Sequence, residues 1–162
     1  MEKLYHRHEA AERTLHNNKV DRFIEVDIEM VKGEISYFEG YPEEAFKYLR
    51  KGIVPQDALK YDEPEGKMQP IRHSLGALLL KDGQYQEAEA IFRTDLRLHP
   101  RNPWALVGLI DCLKYSLENT DVSHEAKRLE YQFFSEQFNA QRKSEFIDYA
   151  VIRSCDCARS SM

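Results

Sequence analysis

Two glycine–alanine pairs, each twelve residues apart, constrain this chain more than any other feature: Gly33 with Ala45, and Gly76 with Ala88. Residues without bulk at that separation belong where two antiparallel helices meet across a short turn, because they let the backbones approach closely. Around the second pair, Leu75, Leu79, Ala90, Ile91 and Phe92 supply the apolar faces to be buried. Gly83 lies between the two halves, where a residue without Cβ closes a helix in the left-handed conformation. Pro100, preceded by His99, closes the second helix. Around the first pair, Gly40 takes the turn. Pro42 opens the following helix, and Glu43 and Glu44 face the positive end of its dipole. Ile24, Ile28, Ile35, Phe38, Phe46, Tyr48 and Leu49 are the expected core of this half, and Pro55 is expected to end its second helix.

Laid on a frame of 34 positions, residues 69–102 place Leu75 at position 7, Gly76 at 8, Gly83 at 15, Ala88 at 20, Phe92 at 24 and Pro100 at 32. The segment resembles a tetratricopeptide (TPR) repeat. From about Gly33 onward the chain also resembles the C-terminal part of a group of bacterial TPR-repeat proteins. That likeness rests on Tyr61 to Pro64 (YDEP), Arg72 to Leu80 (RHSLGALLL), Glu87 to Glu89 (EAE), the His99 to Leu106 junction and the Ser154 to Cys157 tail (S-C-x-C). The resemblance implies an all-α fold: a short TPR-like α-solenoid of two to three helix hairpins with a leading helix and a C-terminal tail. Residues 1–22 are the leading helix and 23–139 the repeat domain, with repeats near 26–60, 69–102 and 103–138 and a linker at 56–68; residues 140–162 are the tail.

The periphery follows from local signals. Leu4, Tyr5, His8, Ala11 and Leu15 recur at helical spacing, so a helix over 2–18 is expected, ended by Asn17-Asn18. The linker contains Asp62-Glu63-Pro64-Glu65-Gly66, which is loop, after a further helical turn at Ala58, Leu59 and Tyr61. Asn102 and Pro103 are an N-cap and a first helical residue. Beyond them Trp104, Leu106, Val107, Leu109, Ile110 and Leu113 form an apolar helix to about Leu117. Ser123 caps a last helix carrying Leu129, Phe133, Phe134 and Phe138, with Phe92 and Phe133 read as packing residues. Phe146 to Ile152 form an apolar segment of the tail.

Composition narrows the function classes. A net charge of −5 without a clustered basic face argues against nucleic acid as a partner. No apolar run approaches the roughly 18 residues of a membrane span. The first residues lack the apolar core of a secretion signal, so a cytoplasmic protein is expected. Three cysteines, Cys112, Cys155 and Cys157, make no disulfide framework. Cys112 reads as a core residue among apolar neighbours, whereas Cys155-x-Cys157 offers two thiolates to a soft metal ion or to oxidation. Two thiolates do not complete a site, and His6, His8, His73 and His99 are the other nitrogen donors considered. No Gly-x-Ser-x-Gly elbow or Gly-rich phosphate loop occurs, so no catalytic residue, no cofactor and no enzymatic activity are expected.

What remains is a surface. The resemblance implies that the first helix of each repeat lines a concave groove. Its residues here include Met30, Glu34, Tyr37, His73, Trp104, Asp111 and Tyr115. Met30 and Glu34 stand where the chaperone-binding type of repeat carries lysine and asparagine, which disfavours a terminal carboxylate as ligand. A peptide segment or partner subunit laid along aromatic anchors is the expected ligand, although Trp104 itself reads as a core residue against Leu96 and Leu98 before it reads as an anchor, and self-association through an exposed end is a further reading. The alternative is a metal- or redox-responsive protein acting through Cys155-x-Cys157.

Overall fold

Gly40 and Gly83 end their helices in the same way. Both have positive φ, 89° and 82°, and both complete a pair of backbone hydrogen bonds that satisfies the last carbonyls of the preceding helix. At the first turn Gly40 N–H donates to Tyr37 O (3.0 Å) and Tyr41 N–H to Ser36 O (2.9 Å). At the second, Gly83 N–H donates to Leu80 O (3.2 Å) and Gln84 N–H to Leu79 O (2.9 Å). A side chain at either position would be strained by the backbone alone.

The computed structural model describes residues 12–63, 66–67, 69–119 and 125–145. The fold is all-α. Among these residues the helices are α1 (Val20–Phe38), α2 (Pro42–Asp57), α3 (Ile71–Lys81), α4 (Tyr85–Leu98), α5 (Pro103–Glu118) and α6 (Glu125–Glu145), preceded by the two-residue strands β1 (Thr14–Leu15) and β2 (Asn18–Lys19). Contacts divide the chain into two compact units, Met1–Leu75 and Gly76–Met162, with the division inside α3.

In the first unit, α1 and α2 form the hairpin around Gly40. Gly33 faces Leu49: a Cβ there would stand 2.5 Å from Leu49 Cγ and 3.1 Å from the Ala45 carbonyl. In the second unit, α3 and α4 repeat the arrangement, and a Cβ on Gly76 would stand 2.5 Å from the Phe92 ring. Gly33, Gly40, Ala45 and Leu49 thus recur as Gly76, Gly83, Ala88 and Phe92, each 43 residues later. The small residue in the first helix meets the large one sixteen residues on, and the alanines are fully buried beside them. Gly108 on α5 faces the same Phe92 ring, so one side chain of α4 is the floor for two helices, α3 and α5. Leu106, Val107 and Phe138 continue this core between α5 and α6, with Leu96, Ile110 and Phe134 against them.

Several local expectations change. The helix expected up to Asn18 gives way to the β1–β2 hairpin, whose turn carries His16 at φ 51°. The cause lies far along the chain. Asn18 donates to Lys60 O (2.8 Å) and accepts from Lys60 N–H (2.7 Å), while Asp62 accepts from Asn17 N–H (3.0 Å) and from Asn18 Nδ2 (2.7 Å). These bonds hold the segment extended, and the remainder of the expected helix, residues 1–11, lies outside the described residues. Pro55 does not stop α2, which runs on to Asp57. There the chain is held by Ile71 N–H donating to Gln56 Oε1 (2.6 Å) and by Arg72 gripping both Asp57 oxygens (2.5 and 2.6 Å). Ile35 and Phe38 are exposed rather than core, because the turns of α1 that place Val26, Met30 and Gly33 inward put positions 31, 35 and 38 on another face. Phe133 is likewise exposed on α6. The cap at Ser123 and the segment Phe146 to Ile152 lie outside the described residues.

Two outcomes follow from these contacts. Replacing Gly76 by Ala costs about 1–3 kcal/mol through overpacking, more than the about 0.5–1 kcal/mol alanine gains over glycine within a helix. Denaturant unfolding of Gly76→Ala, Phe92→Leu and the double variant should show the double less destabilised than the sum, because the shorter side chain gives the new methyl room. Second, burial opposes ionisation of Asp62, yet the hydrogen bonds from Asn17 and Asn18 outweigh it and hold the carboxyl below its ordinary 3.8. A lowered pKa contributes stability that is present above the unfolded value and lost as pH falls through the folded one. The stability gap between the native chain and Asp62→Asn should therefore be flat above about pH 5 and close from about pH 4 downward; a gap independent of pH would contradict this account.

Candidate functional site

Asn102 builds the corner on which the chain's one tryptophan stands. Its side chain accepts from Trp104 N–H (3.1 Å), capping α5, and Pro103 supplies the first helical residue without an orphan N–H. The same side chain donates to Asp95 Oδ2 (2.6 Å), a carboxylate buried at the end of α4. From α6, Gln141 donates to Arg101 O (2.7 Å). Three helices therefore fix the backbone that carries Trp104, which remains 40% exposed.

Trp104, Asp111 and Tyr115 fall on one stripe of α5, at spacings of seven and four. At the far end of the stripe Tyr115, also 40% exposed, lies flat against Tyr85, the first residue of α4, with ring centroids 3.5 Å apart and planes 9° from parallel. The two rings border an open depression of about 410 Å³ whose remaining walls are Gly83, Gln84, Gln86 and Glu87. The left-handed turn at Gly83 leads the chain into this wall, and a Cβ there would reach 3.9 Å from the Tyr85 ring. Gln84 Nε2 donates to Asp82 Oδ2 (2.9 Å), which fixes one amide beside a carboxylate.

The residues expected in the first unit behave differently. Met30 and His73 are buried, at 9% and 8% exposed, so the expectation that they present a binding surface is corrected: the inward stripe of α1 claims Met30, and the first turn of α3, where His73 N–H donates to Pro70 O (2.9 Å), claims His73. Glu34 is half-buried and accepts from Ser74 Oγ (2.7 Å), which itself accepts from Gln69 Nε2 (3.3 Å). It ties α1 to the start of α3. Tyr37 packs edge-on against Phe38 and tilted against Phe46, at centroid separations of 6.2 and 6.0 Å. Trp104, Asp111 and Tyr115 are the members of the expected set that share one accessible face. Tyr85 was not expected there. Its partner lies thirty residues on, and no local signal pairs them.

Elsewhere the polar chemistry is structural. Arg93 joins α4 to α6, its Nε to Glu89 (2.9 Å) and Nη2 to Glu130 (2.6 Å). Burial disfavours its charge, but the two carboxylates overcome this and raise its pKa. Among the described residues no group of three or more His, Cys, Asp or Glu side chains converges on a point that could hold a metal ion, and no helix is long and apolar enough to cross a membrane. His6, His8, Cys155 and Cys157 lie outside those residues. Comparison of the chain with protein-family models, with curated proteins and with solved structures found no match.

Cys112 sits in the α5 core, and burial, with Glu89 and Asp111 adding to it, pushes its thiol up to about 12. Thiolate is the reactive form. In a chain carrying Cys155→Ser and Cys157→Ser, Ellman's reagent at pH 8 should therefore label Cys112 only on unfolding; labelling of the native protein within minutes would show an open path to the sulfur.

Proposed function

We propose that the protein is a protein–protein interaction module of TPR-like helix hairpins, arranged as a short α-solenoid, that binds a peptide segment or partner subunit on the face carrying Trp104, Asp111 and Tyr115. The observation that carries this reading is the aromatic stripe of α5 itself. Trp104 and Tyr115 are large, rigid and 40% exposed, on a helix whose start is pinned by Asn102 and whose inner face is filled by Leu106, Leu109 and Leu113. Exposed aromatic anchors on a rigid helix suit a docking segment, because little side-chain freedom is lost on contact. The repetition of one hairpin at 43 residues, with the same turn and the same small-on-large contact, supports the repeat reading. The 43-residue interval equals one 34-position unit plus nine residues, which suits the long linker after α2. We place the protein in the cytoplasm and assign it no catalytic role.

The test is a selection of displayed random peptides on the full chain. Enriched peptides should bind the native protein and lose at least about ten-fold in affinity to Trp104→Ala or Tyr115→Ala, the scale of an interface anchor, without responding to a chelator. Peptides that bind both variants as well as the native chain, or whose binding disappears with chelator, would sink the proposal.

A further inference from the structure

Resting on that reading, we infer that the Tyr85–Tyr115 depression is a recognition site for an arginine side chain of the partner. The lining residues are Tyr85 and Tyr115, two glutamines, Gly83 and one charged group, Glu87. Asp82, one residue before Gly83, already engages the side-chain amide of Gln84 (2.9 Å). The walls are thus rich in π-faces and acceptors, and their one formal charge is negative. Such a surface complements a cation.

Geometry selects among cations. Tyr85 and Tyr115 are already stacked at 3.5 Å and 9°, and a planar guanidinium extends a stack by one layer while its edge N–H groups reach a carboxylate. An ammonium is a compact, strongly hydrated charge and gains less from parallel rings. The positive end of the α4 dipole opposes any cation here, and Glu87, in the first turn of α4, offsets it. The nearest basic neighbour in sequence, Lys114, is engaged along its own helix with Glu118 at 3.8 Å. Gly83, at positive φ, brings no side chain to the lining it shares with Tyr85.

The experiment uses the full chain and three capped peptides of alternating leucine with arginine, with citrulline or with glutamate. Citrulline keeps the planar shape of arginine and removes its charge. Ring resonances of Tyr85 and Tyr115 are followed by NMR, assigned through the Tyr→Phe variants. The arginine peptide should shift both rings saturably, the citrulline peptide should bind about five- to ten-fold more weakly, and the glutamate peptide should leave the rings unmoved. Glu87→Gln, or independently Tyr115→Leu, should remove the preference for arginine over citrulline. Equal binding of arginine and citrulline, or saturation without movement of these two rings, overturns the inference. If displayed peptides still depend on Trp104 in that event, the interaction module stands and only the arginine assignment falls; if they do not, both fall.

Discussion

The absence of a Cβ at four positions decides how closely these helices approach. At Gly33 the vacated space is taken by Leu49, and at Gly76 by Phe92, with Gly108 receiving the same ring. Close-packed interiors have no spare volume, so a single added methyl must displace a neighbour. Gly52 makes the corresponding concession in the first unit, where a Cβ would run into Ile71 and Glu29. Glu29, buried there, accepts from Lys51 Nζ (2.8 Å), whose own side chain is largely in solvent.

Polar bonds of long sequence range then fix what the apolar contacts leave free. Asn18 clamps the backbone at Lys60, Arg72 spans Asp57, and Arg93 bridges Glu89 to Glu130. Each joins an element to a neighbour separated from it by 15 to 42 residues. Their net contribution is modest while they are intact, but a buried partner left alone costs the full desolvation of that group. They act on register more than on total stability.

Those two kinds of contact differ in how readable they are. The glycine turns, the alanines and the Asn102-Pro103 start are local patterns, and they predict the two hairpins and the beginning of α5. The large side chain opposite each glycine follows from the same frame. What local pattern cannot carry is the outcome of a competition between distant segments. Residues 14–19 have helical spacing, yet Asn17 and Asn18 gain more from Lys60 to Asp62 than from a helix of their own. Ile35 and Phe38 are as apolar as Val26, and only the register of α1 against α2 decides which of them is buried. For the site the same division holds. Trp104, Asp111 and Tyr115 are legible as one stripe, whereas Met30 and His73 required the packing to be known, and Tyr85 required the turn of α4 towards α5.

The Asn102 corner carries one more consequence. A loop that folds only when its ligand arrives must give up its freedom at that moment, and the affinity falls accordingly. Here Asp95, Asn102 and the Arg101 carbonyl are already bonded to one another's helices, so the platform beneath Trp104 is ordered in advance. Were a segment to dock there, as proposed, it would sacrifice its own entropy and almost none of the platform's, so that a short and weakly apolar segment would suffice.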